Sequence, residues 1–192
     1  PFTPLLRTLP LPGHIKLRRA QHYLDTLIYR LIDERRATGG DTGDVLSMLL
    51  QAQTDDGRPM SPRQIHDEAL TLLLAGHETT ALALSWTWYL LAQHPDVDAT
   101  MHEELLTVLG GRLPGTADLP QLPYTRMVLT EALRLYPPAW LMTRRAREEV
   151  TLGVYRFPRG TFFLISPYIT HRDPRAFPNP EAFVPTRWAT TA

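Results

Sequence analysis

Residues 61–93 read SPRQIHDEALTLLLAGHETTALALSWTWYLLAQ. Ser61 offers a side-chain oxygen to a helix start, Pro62 has the fixed φ of a first helical position, and Gln64 stands where a capping box needs its reciprocal acceptor. No further proline occurs until Pro95, so the spacing predicts one helix of about 30 residues, roughly 45 Å long at the α-helical rise. From Ala69 to Ala92 this segment is almost wholly apolar, long enough to span a bilayer. His77, Glu78, Thr79 and Thr80 at its middle argue against that, because a carboxylate at the bilayer centre needs a partner or a cavity. A helix apolar on all sides is otherwise the central helix of a large soluble protein. Four polar residues beside Gly76 then need a reason. Glycine admits close approach and weakens the helix, while a hydroxyl and a carboxylate can bond loosened carbonyls or a trapped water. The plain alternative is a satisfied polar kink without function.

Upstream, Leu17, Ala20, Leu24, Leu27, Ile28, Leu31 and Ile32 follow helical spacing, which predicts a helix from Lys16 to Ala37 ended by Gly39-Gly40. A second helix begins at Val45 under an Asp44 cap. Downstream, helices fit Val97 to Leu109, closed by Gly110-Gly111, and Tyr124 to Tyr136, stopped by Pro137-Pro138. Val150-Thr151-Leu152, Val154-Tyr155-Arg156-Phe157 and Thr161-Phe162-Phe163-Leu164-Ile165 are β-rich, with Pro158-Arg159-Gly160 as a turn. The expected fold is therefore mainly α, one domain over 1–192: helical over 14–136, a small β element within 139–166, and an irregular Pro-rich segment over 167–192.

Composition narrows the chemistry. The 192 residues carry 20 Lys+Arg against 20 Asp+Glu and no Cys, which excludes a disulfide scaffold, a Cys-ligated metal and a Cys nucleophile within this chain. Residues 131–192 hold nine Arg against five acids, a balance suited to a carboxylate- or phosphate-bearing partner. The interleaving of signs is not a nucleic-acid footprint. The start, Pro1-Phe2-Thr3-Pro4, has neither Met nor a signal pattern, so the chain is expected to begin mid-protein. His77-Glu78 invites a zinc-protease reading that fails at Ala81, where the second His is required. His171-Arg172-Asp173 resembles a kinase triplet but has Pro178 where Asn is needed and no Gly-rich loop before it. Glu131 and Arg134 are three apart on one helix face and can pair. Alone, such a pair is usually a solvated bridge, but the flanking leucines and the double proline suggest burial.

With Ala75-Gly76-His77-Glu78-Thr79-Thr80 on a long helix, Glu131-Ala132-Leu133-Arg134 on a later one and Phe183-Val184-Pro185-Thr186-Arg187-Trp188 near the end, the chain resembles the cytochrome P-450 family of haem-thiolate monooxygenases. The resemblance implies a partial P-450-type fold, with the small β element after the E-x-x-R helix, and insertion of one oxygen atom of O2 into a small hydrophobic organic substrate. It also implies heme b and an electron-donating reductase or ferredoxin. Ala75 and Gly76 would line the oxygen groove over the haem, Thr79 would hydrogen-bond bound dioxygen or its water, and Glu78 would relay protons. Arg144 matches the arginine that pairs with a haem propionate. Glu131, Arg134 and Arg187 would form a buried structural triad, and His171-Arg172-Asp173-Pro174 a packing turn. The sequence departs from the family in lacking the cysteine that ligates iron, so it is expected to be an internal fragment, inactive alone, without the N-terminal part and the cysteine loop. Trp188 stands where Phe is common, and Val154 where Gly often stands. Two other readings stay open: a non-enzymatic helical pseudo-domain binding a hydrophobic ligand or partner, and a membrane-spanning protein. Nucleic acid is not expected as a partner, a membrane is disfavoured, and the expected location is cytoplasmic.

Overall fold

The computed structural model describes residues 11–39 and 41–189; the start Pro1-Phe2-Thr3-Pro4, Gly40 of the first stop signal and residues 190–192 lie outside them. The chain divides into two compact units, Pro1–His77 and Glu78–Ala192.

In the first unit, α1 (Pro12–Thr38), α2 (Val45–Gln51) and the first half of α3 (Pro62–Gln93) surround Ile28, Ile32 and Ile65, against which Leu46, Leu49, Leu50, Met60, Ala69 and Leu70 pack. Helix α1 starts four residues before the predicted Lys16 because Pro12 takes the first helical position. It ends where Gly39 adopts a φ of 63° and donates its amide to the Arg35 carbonyl, a left-handed cap that a side chain would strain. Asp44 caps α2 by accepting from the Ser47 amide at 2.9 Å, and Arg35 pairs with the same carboxylate at 2.7 Å. The capping box of α3 is reciprocal: the Ser61 amide donates to Gln64 Oε1 at 2.9 Å, and the Gln64 amide to Ser61 Oγ at 3.3 Å. Helix α3 spans 32 residues and continues without a change of helix type through 75–80. No described helix is long and apolar enough to cross a membrane.

In the second unit the end of α3, α4 (Pro95–Leu109) and α5 (Pro123–Leu135) close on Leu90, Leu91, Val97, Val128, Ala132, Leu135 and Phe183. No side chain of α5's own start caps it. The Tyr124 and Thr125 amides instead donate to the two carboxylate oxygens of Glu104, on α4, at 2.7 and 2.8 Å. The Pro- and Gly-rich connection between these helices holds a 3-10 turn, Thr116–Gln121, tied by Asp118, which accepts from Arg112 at 2.7 and 2.6 Å.

The β element consists of two antiparallel pairs, β1 (Met142–Arg145) with β4 (Phe162–Ile165) and β2 (Val150–Leu152) with β3 (Tyr155–Phe157). Three differences from the sequence reading appear here. Strand β1 was not among the expected strands; it is defined by a partner 17 or more residues away, Met142 facing Ile165 and Arg145 facing Phe162. Val154 is not in a strand but in the turn after Gly153, and is 88% exposed. The segment from Pro167 is not wholly irregular: it contains α6 (Pro167–Thr170), capped by Ser166, and a 3-10 turn, Pro185–Trp188. Elements of four residues are too short to show a helical period.

Candidate functional site

Glu131 and Arg134 sit three apart near the end of α5, and both are almost fully buried, at 0% and 2% exposure. Arg134 clasps the carboxylate with both arms of its fork, Nε donating to Oε2 and Nη2 to Oε1, each at 2.9 Å. The remaining acceptor capacity is filled from the chain's last described stretch. Arg187 Nε and the Val184 amide donate to Oε1 at 2.8 and 3.0 Å, and Trp188 Nε1 donates to Oε2 at 2.9 Å. Burial alone would push the Glu131 carboxyl up; the donors from Arg134, Val184, Arg187 and Trp188 outweigh it and hold the group below its ordinary value.

The guanidiniums are satisfied in turn. Arg134 donates to the carbonyls of His171 at 2.8 Å, Pro180 at 2.7 Å and Ala182 at 3.0 Å, and lies 5.3 Å from the Phe177 ring centroid. Arg187 donates to the Pro178 carbonyl at 3.0 Å. Asn179 adopts the left-handed conformation, φ 48°, tolerated by a short amide side chain, and so turns this run of carbonyls around the two arginines. No buried side-chain nitrogen or oxygen lacks a partner among the described residues. A buried ion pair repays its desolvation only under such complete hydrogen bonding. Sequence reasoning named Glu131, Arg134 and Arg187 and missed the rest. The indole at Trp188 carried a signal, being a donor where the family usually has an apolar ring; backbone carbonyls carry none.

The oxygen-groove candidates present the opposite environment. Ala75, Gly76, Glu78 and Thr79 lie along two turns of α3, with Ala75 and Thr79 one turn apart on one face, and all of residues 75–80 are exposed. A Cβ built on Gly76 would meet nothing within 4 Å, so no neighbour in the described structure requires glycine there. Leu72, Leu73, Leu74, Leu82, Leu84 and Trp88 on the same helix are exposed too. Arg144 is on β1, opposite Phe163, exposed, with Nη1 donating to the Thr143 carbonyl at 2.9 Å; it is not one of the donors to Glu131. Among the described residues no three His, Asp or Glu side chains gather to hold a metal ion.

A family model described as Cytochrome P450 matches residues 1–192. Cyclooctatin synthase of Streptomyces melanosporofaciens is 52% identical over 97% of this chain and 41% of its own length. Cyclooctat-9-en-7-ol 5-monooxygenase of the same organism is 42% identical over 96% of this chain and 40% of its own length. Among solved structures, retinoic acid-bound cyanobacterial CYP120A1 superposes with a TM-score of 0.84 at 33% identity, covering 94% of this chain and 42% of the other. The chain thus spans about two fifths of the length of the relatives it matches.

Proposed function

We propose, from the premise that this chain belongs to the cytochrome P450 family, that it forms the oxygen-side helix and the proximal lock of a haem-dependent monooxygenase. That enzyme inserts one oxygen atom of O2 into a small hydrophobic substrate. The observation that carries the reading is the Glu131 network: five donors on one buried carboxylate, assembled from the second and third family motifs, in a chain that also bears the first. The name of one relative, an oxygenase of an unsaturated cyclic alcohol, points to an unsaturated hydrocarbon or its alcohol as the substrate class. The cofactor is heme b, electrons come from a reductase or ferredoxin, and the enzyme works in the cytoplasm.

Two of the residues present are each suited, by themselves, to a part of such a group. Arg144 is an exposed guanidinium on a strand, with capacity for a propionate. Gly76 leaves open space beside the helix, where a flat ligand can approach the backbone. The sequence has no cysteine, so the thiolate is not drawn from these 192 residues. When bound, the haem supplies the binding and reductive activation of O2. The chain's own part is proton handling: the Thr79 hydroxyl holds a proton toward the oxygen groove, and the Glu78 carboxylate, on the adjacent helical position, replenishes it from solvent.

The test uses the complete protein. Thr79→Ala should leave haem content unchanged and divert reducing equivalents from product to hydrogen peroxide. Product formed per electron pair equal to that of the parent would remove Thr79 from proton delivery. The 192-residue chain supplied with haem should show no thiolate-type carbon monoxide difference band; such a band would require a thiolate from another source.

A further inference from the structure

The basic surplus of the last third is not exhausted by Arg134, Arg144 and Arg187. Arg145, Arg147 and Arg159, with Ala146 and Gly160, line an open cavity of about 560 Å³ beside the β1–β4 pair. Two backbone bonds bring its walls together: the Ala146 amide donates to the Thr161 carbonyl at 2.9 Å, and the Gly160 amide to the Ala146 carbonyl at 3.0 Å. Consecutive strand residues project to opposite faces, and Arg144 faces Phe163 while Arg145 faces Phe162. The Arg145 guanidinium accordingly lies over the Phe162 ring, 5.4 Å from its centroid, on the face away from Arg144. This site is therefore separate from the arginine assigned to the haem edge.

None of the three guanidiniums has a carboxylate within ion-pair distance among the described residues, although the nearby surface carries two. Glu149 is taken by Arg156, and Glu148, exposed, does not line the cavity. Three unneutralised like charges around one concavity raise the local potential and draw an anion into it. Gly160 keeps the opening clear: its φ of 93° disfavours any side chain, and a Cβ there would stand 3.7 Å from Arg145 Nη2. Guanidinium forks match phosphate oxygens two at a time, and the cavity far exceeds a lone phosphate, leaving room for the body that bears it. We propose that this cavity is a binding site for a phosphate-bearing small molecule, its phosphate held by Arg145, Arg147 and Arg159.

Calorimetric titration of the full chain with inorganic pyrophosphate at low ionic strength tests this independently of any haem chemistry. One site per chain is expected. The double variant Arg145→Gln, Arg159→Gln, whose side chains are exposed and whose far-UV spectrum should match the parent's, should bind at least about tenfold more weakly, as expected for lost charged hydrogen bonds. Arg126→Gln, an exposed arginine on α5 that does not line the cavity, removes a like charge without removing a donor to the bound phosphate and should leave affinity within about twofold. Unaltered binding by the double variant, an equal loss in Arg126→Gln, or no saturable binding by the parent would each overturn the proposal.

Discussion

The Glu131 network and residues 75–80 of α3 are equally conspicuous as sequence motifs, yet physically they are opposites. The first is buried and closed: its donors and acceptors are met by the chain itself, from α5 and the stretch from His171 to Trp188. The second is exposed along its whole length, with open space at Gly76. One meets its polar needs from within the chain; the other presents its side chains outward. A polar motif on a helix therefore does not declare its own burial; the donors that converge on it from elsewhere decide.

The sharpest way to break this contrast is to open the closed site. Arg134→Leu leaves a buried carboxylate without its bidentate partner and should cost about 3–5 kcal/mol, enough to abolish soluble folding of a marginally stable chain. Expression and thermal melting indistinguishable from the parent would show that the pair is not buried in solution. Acid should act in the same place. Because the folded protein holds Glu131 below its ordinary value of 4.5, the stability it contributes is fully present above that pH and is lost as pH falls through the lowered folded value. Urea midpoints followed downward from pH 5 should fall, and Glu131→Gln should flatten that slope. A smaller probe is Trp188→Phe, which keeps a ring but removes one donor to a charged acceptor, for a loss of about 1.5 kcal/mol by chemical denaturation.

The smallest effect should have the opposite sign. Gly76→Ala adds a methyl group into empty space on an exposed helix and should stabilise the chain by about 0.5–1 kcal/mol. If the same change weakens haem or oxygen binding in the complete protein, glycine is there for the ligand; destabilisation of the chain itself would return it to packing.

The helices were legible because their ends are written locally. Ser61-Pro62 with Gln64, and the next proline at 95, placed α3 at its observed bounds. The triad was legible through the family motifs, although Arg187 joins Glu131 across 56 residues. Strand β1 was not, since Met142-Thr143-Arg144-Arg145 lacks alternation and becomes a strand through its non-local partner. Nor were the carbonyls of His171, Pro180 and Ala182: a backbone acceptor is offered by every residue, and the end of α6 and the turn at Asn179 bring these ones to Arg134.

Glu104 bears on how the second unit is made. The first amides of α5 are met by a carboxylate 20 residues upstream, on α4. Helix initiation is the unfavourable step, and here the group that eases it arrives with another helix. The start of α5 is thus secured by a tertiary contact with α4 rather than by a cap of its own. Two turns further on, the same helix carries Glu131 and Arg134, around which the stretch from His171 to Trp188 wraps. One helix thus joins two anchors: Glu104 of α4 at its start, and the buried Glu131–Arg134 pair near its end.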